Sequence, residues 1–173
     1  MHKIISYTIL FVVTILLQIF FFDNLSLSIY LNPLIYIAII ILLPVDTSPL
    51  LTLVVGLVTG VVMDFAMGIA GINTITTVLI AFLRPFVLAL FFDKNNLREG
   101  GIPSEGQLGR LSFLYYLLIL TLVHNLLFFI FEDLSIVHLP VTLLRFVVSS
   151  AVSLPSLWLI SQIFTHPKLK TSL

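Results

Sequence analysis

Gly56-Leu-Val-Thr-Gly60-Val-Val-Met-Asp64-Phe-Ala-Met-Gly68-Ile-Ala-Gly71-Ile-Asn73 is the stretch whose reading decides the fold. Gly56, Gly60, Asp64 and Gly68 recur every fourth residue, which keeps them on one slowly drifting face of a helix. Lipid offers no hydrophobic drive for helix association, so small residues matter because they let a neighbouring backbone approach. Gly56 and Gly60 form a G-x-x-x-G pair, and packing within this chain is its expected use, ahead of oligomerisation. Asp64 ends the span near the outer interface. Gly68, Gly71 and Asn73 follow as a tight re-entry into the next span. A carboxylate placed there can accept N–H groups from the start of the following helix. A capped turn that fixes a helical hairpin is the expected role of Asp64; the competing role is an ion or solute site.

The rest of the chain agrees with a membrane setting. It has 173 residues, 60% hydrophobic and 9% charged, with a mean hydropathy of +1.21. A soluble domain is typically about one quarter charged, so too few charges exist here to cover a water-facing surface. Soluble enzymes and disordered chains are excluded on that ground. The net charge of zero gives no reason to expect nucleic acid as a partner. The absence of cysteine removes disulfides and thiolate metal sites.

Apolar runs read against turn and charge signals predict an all-α integral membrane protein with six transmembrane helices in a single domain over 1–173. The spans are expected at about 4–22, 29–43, 49–64, 72–92, 111–131 and 139–164. The second is short and expected to be tilted or half-buried. Pro49 and Pro140 stand where an opening helical turn tolerates proline. The first run is expected to be a permanent helix rather than a cleaved signal, since the first alanine of the chain is Ala38. Orientation follows from the cations. With a cytoplasmic N-terminus, Lys3, Lys94, Arg98, Arg110, Lys168 and Lys170 all fall on the inner side, and the outer loops hold neither Lys nor Arg. Both termini are therefore expected in the cytoplasm. The loop from Asp93 to Arg110, rich in glycine, reads as a flexible connector.

Three ionisable residues inside spans are candidates for function. An Arg at a helix centre costs on the order of 3 kcal/mol on insertion scales, so Arg84 and Arg145 should snorkel or pair. Arg145 is expected to meet Asp64, Glu132 or Asp133. Arg84 is expected to reach toward Asp46 or Asp93, or to bond carbonyls freed by Pro85. His124, beside Asn125, is a possible proton relay, but an interhelical hydrogen bond is the favoured role. The four histidines (His2, His124, His138, His166) show no metal-ligand spacing. No nucleophile–base order, phosphate loop or paired carboxylate stands within the membrane. No enzyme activity and no cofactor are expected.

At this point the chain resembles the MreD family of rod shape-determining proteins. The resemblance rests on Leu16-Leu17-Gln18-Ile19 with Asp23-Asn24-Leu25, on Asn32-Pro33 opening a short span that ends at Leu43-Pro44, and above all on Gly56-x-x-x-Gly60-x-x-x-Asp64-x-x-x-Gly68-x-x-Gly71 leading to Ala81-Phe82-Leu83. The family's turn commonly carries Ser, which is absent from Ala66 to Gly71. The resemblance implies a non-enzymatic inner-membrane component of the bacterial cell-elongation complex. It would bind a bitopic MreC-like protein and act indirectly with the MreB filament, RodA and a class B penicillin-binding protein in lateral peptidoglycan synthesis. It also implies a fold distantly similar to the S components of energy-coupling factor vitamin transporters. A solute-binding S component is accordingly the second reading, although span 1 lacks the small alanine-rich face such components offer their coupling subunit. An independent channel ranks last, since no span carries a polar stripe.

Overall fold

The computed structural model describes residues 2–22, 30–91 and 101–165. Among these the chain is helical, without strands: α1 (His2–Leu17, extended by a π-helical turn Gln18–Phe22), α2 (Ala38–Ile41), α3 (Pro49–Met67), α4 (Ile72–Phe91), α5 (Glu105–Leu108), α6 (Arg110–Glu132), a 3₁₀ turn (Ile136–His138) and α7 (Leu139–Thr165). Five helices are long and apolar enough to cross a membrane: α1 with its π turn, α3, α4, α6 and α7. Their ends lie within a few residues of the expected spans. Ser48 caps α3 by accepting from the Leu51 N–H, and Pro49 opens it without wasting a donor. Gly68 closes α3 in the left-handed conformation at φ 67°, which favours glycine.

The packing follows the sequence outward from the glycines. α3 lies against α4, α4 against α6, and α6 against α7. α1 meets α7 at one end through an edge-to-face contact of Tyr7 with Phe164 at 5.4 Å. The outer faces of all five helices carry exposed Leu, Ile, Val and Phe, among them Leu50, Phe65, Leu90 and Ile163. In water these faces would aggregate; in a bilayer they meet their natural solvent.

The interior corrects one expectation. A second spanning helix over 29–43 does not form. Residues 23–29 lie outside the described residues, residues 31–35 are non-helical, and only Ala38–Ile41 makes a helical turn. The segment from Leu34 to Leu43 is buried throughout and forms the largest continuous part of the apolar core. Pro33 has no N–H to give a helix and disfavours helical backbone in the residue before it, and from Ile35 to Leu43 the chain makes only short turns whose N–H groups bond three or four residues back. Fifteen residues fall short of a bilayer as a single helix. Irregular backbone at membrane depth is tolerated only where protein buries it, and five helices do so here.

Of the connector of residues 93–110, only the part from Gly101 is described. Lys94, Arg98 and Gly100 lie outside the described residues, as do Lys168, Lys170 and His166 in the tail. From Gly101 onward the connector docks on the bundle: Gly101 O accepts from the Val45 N–H at 2.8 Å, and Glu105 in α5 accepts from the Trp158 indole at 2.6 Å.

Candidate functional site

Backbone without a helix leaves its N–H and C=O groups in need of partners, each costing several kcal/mol if abandoned in an apolar interior. The polar side chains of the spans supply them. Gln18 clamps the segment at both faces of one residue: its Nε2 donates to Pro33 O at 3.0 Å, and its Oε1 accepts from the Ile35 N–H at 2.8 Å. The π turn begins at Gln18, and such turns commonly mark places where a helix bends to serve a neighbour. From α7, Ser149 Oγ accepts from the Asn32 N–H at 2.9 Å and Ser153 Oγ from the Leu34 N–H at 3.0 Å. Lower down, the Tyr116 hydroxyl donates to Ile41 O at 2.8 Å and the Tyr7 hydroxyl to Leu42 O at 3.2 Å. Along α1, the partners of Pro33 and Leu42 are eleven residues apart, about 16 Å of helix. The segment therefore passes lengthwise through the bundle.

Arg84 serves the lower end. Its guanidinium is 2% exposed and donates to Leu43 O, and at 3.3 Å to Pro44 O. Among the described residues it bonds neither Asp46 nor carbonyls released by Pro85; the acceptors are the carbonyls that end the buried segment. Asp93 lies outside the described residues. Arg84 Nε has no partner among the described residues.

A second set of polar groups crosses the bundle near the other end. Asp64 Oδ1 accepts from the Asn73 N–H at 2.9 Å, and Oδ2 accepts from the Thr74 N–H at 3.0 Å and its hydroxyl at 2.5 Å. Asn73 and Thr74 are the second and third residues of α4, whose cap position, Gly71, has no side chain. The carboxylate from α3 thus performs the capping that Gly71 cannot. The Tyr36 hydroxyl donates to Asn73 Oδ1 at 2.7 Å and stands 3.2 Å from His124 Nε2. The His124 ring N–H serves either Tyr36 or Asn125, according to its tautomer. His124 Nδ1 lies 3.4 Å from Asn125 Oδ1, and Asn125 Nδ2 donates to Ser150 at 3.0 Å. The chain Asp64–Asn73–Tyr36–His124–Asn125–Ser150 joins α3, α4, the buried segment, α6 and α7.

The remaining candidates have plain structural partners. Gly60 is the closest point of the α3–α4 contact, where a Cβ would strike Thr74 and Thr77. Thr77 donates to Gly56 O at 2.9 Å across the same contact. Arg145 binds Glu132 with both terminal nitrogens, at 2.8 and 3.1 Å, and lies 5.0 Å over the Phe129 ring. Asp133 instead meets His138 at 2.9 Å.

Asp64, Asn73 and His124 are thus brought into one network, and Arg84 and Arg145 stand apart from it. Sequence reading missed Gln18, Tyr36, Ser149 and Ser153 as working residues. The signal was present: each is a polar group inside an apolar run, and each needs a partner. Among the described residues no cluster of His, Asp or Glu could hold a metal ion. Chemically, the arrangement holds backbone in place, and its donors and acceptors are largely consumed in doing so. No family model, curated protein or solved structure matches this chain.

Proposed function

We propose that this chain is a non-enzymatic, six-crossing component of the bacterial cell-elongation machinery. In this reading it sits in the cytoplasmic membrane with both termini inside, binds an MreC-like bitopic protein, and supports lateral peptidoglycan synthesis carried out by other subunits. The sixth crossing is the buried segment from Tyr30 to Val45. Counting it restores an even number, which agrees with the placement of every loop cation on one side.

The observation that carries the reading is the hairpin from Gly56 to Asn73, the part of the sequence with the family resemblance. Its glycines hold α3 against α4, and its carboxylate is committed to the first turn of α4. A scaffold needs a fixed internal frame with apolar outer faces free for other helices. The spending of Gln18, Tyr116, Ser149 and Ser153 on backbone groups supports a holding role over a catalytic one. The second reading, a vitamin-binding S component of similar fold, requires room in the outer half. Tyr36, Asn73, His124 and Asn125 occupy that position and are each 0% exposed.

Depletion of the protein in its own bacterium tests the proposal. Rod-shaped cells that become round, with newly inserted peptidoglycan no longer spread along the side wall, are the expected outcome. Unchanged shape together with impaired vitamin uptake refutes the scaffold and favours the S component.

A further inference from the structure

A groove of about 470 Å³ opens to the lipid side between α6 and α7. On α6 it is lined by Leu111, Leu114 and Leu118, and on α7 by Leu154, Pro155 and Trp158. The α6 residues follow the helical spacing of three and four, so the groove runs along the helix for about 10 Å from its first turn. Pro155 lies inside α7 and has no N–H, so the turn before it cannot close tightly against the proline ring. Trp158 is pinned at the mouth by its indole bond to Glu105.

Two observations identify the occupant. The first is the lining: every residue around the groove is apolar or aromatic, which suits an acyl chain. The second is charge. Arg110 is the first residue of α6, one position before Leu111 at the groove mouth, and it is exposed. Neither of the two ion pairs among the described residues involves it. A cation at the end of a spanning helix sits at headgroup depth, where a phosphate is its natural partner.

We propose that the α6–α7 groove binds an anionic phospholipid, with one acyl chain along Leu111, Leu114 and Leu118 and the phosphate against Arg110. This does not depend on the cell-elongation reading; it requires only that α6 and α7 span the bilayer.

The chain carries its own probe, because Trp158 is its one tryptophan. Purified full-length protein is reconstituted into vesicles of phosphatidylcholine containing equal small fractions of either dibrominated phosphatidylglycerol or dibrominated phosphatidylcholine. Bromine on an acyl chain in the groove quenches Trp158 by contact. The expected result is an apparent affinity about threefold higher for the anionic lipid, a ratio worth about 0.65 kcal/mol. Arg110→Gln brings the ratio to about one, and Arg110→Lys keeps most of it. Leu154→Phe, which fills the groove, lowers quenching by both lipids. Each variant is first shown to elute as one species, so that loss of preference is not loss of fold. Equal quenching by both lipids in the native protein overturns the proposal, as does a preference that survives Arg110→Gln. Quenching by neither lipid overturns it in favour of a protein side chain in the groove.

Discussion

Replacing Gly60 by alanine should be the most damaging single-methyl change in the α3–α4 contact. An ideal Cβ at Gly60 overlaps Thr74 Cα and Thr77 Oγ1 and stands 2.8 Å from Thr74 N. The Thr74 atoms are backbone, so no rotamer change relieves them. α3 and α4 must part by roughly 1 Å to restore carbon contacts near 3.5 Å. Overpacking of this kind costs about 1–3 kcal/mol. Parting also stretches the Thr77 bond to Gly56 O and the Asp64 caps, at about 0.6 kcal/mol for an interhelical bond in a membrane protein and about 1 kcal/mol for a cap. A total of about 3 kcal/mol lowers Tm by about 6–12 °C for a chain of this size. Gly68→Ala is the control: its φ is +67° and nothing lies within 4 Å of the added carbon. Only the left-handed conformation is charged against it, about 1 kcal/mol, or about 2–4 °C. At Gly56 the added carbon meets Ala81 Cβ at 2.8 Å, so Ala81→Gly should restore much of the stability lost in Gly56→Ala. Thermal unfolding in detergent, followed by loss of monodisperse elution, reads all three. A Gly60→Ala protein that melts no lower than Gly68→Ala refutes the close-contact argument.

Asp64→Ala should expose the Asn73 and Thr74 amides to faster hydrogen exchange and cost about 1–2 kcal/mol, with Asp64→Asn losing less because one acceptor remains. Ser153→Ala leaves the buried Leu34 N–H without its acceptor and should cost about 1–3 kcal/mol; Ser156→Ala, whose hydroxyl bonds only its own helix at Val152, should change Tm little. Glu132→Gln should cost below about 1 kcal/mol, because the pair with Arg145 is only partly shielded. Exchanging the two charges, Glu132→Arg with Arg145→Glu, should recover stability relative to either single change, measured as a double-mutant cycle.

The helices were legible because period, prolines and capping residues are local. The Gly56–Asn73 hairpin was legible for the same reason: close approach demands small residues at a fixed spacing, and a cap demands a carboxylate within reach of the next helix. The run from Pro33 to Pro44 was not. A short apolar run reads alike as one helix and as buried irregular chain with a single helical turn, and the two flanking prolines bound a run too short to cross as a helix. Arg84 was misread as well. Its acceptors, Leu43 O and Pro44 O, are backbone carbonyls some forty residues earlier in the chain, and no spacing within α4 reveals that. Gln18 and the serines of α7 were visible as polar residues in apolar runs, but their partner is backbone far away in sequence. The tilt toward Glu132 rather than Asp64 for Arg145 is likewise a matter of which helices are neighbours: α6 packs on α7, and α3 packs on α4.

The central claim is that this frame holds a bitopic partner of the cell-elongation complex. Affinity purification of the tagged, full-length protein from its native membrane, with mass spectrometry of the proteins and small molecules that accompany it, tests it most directly. The account predicts recovery of an MreC-like protein, reduced when Gly60→Leu or Asp64→Ala disturbs the hairpin. Recovery of transporter ATPase subunits or a tightly held vitamin in its place would contradict it.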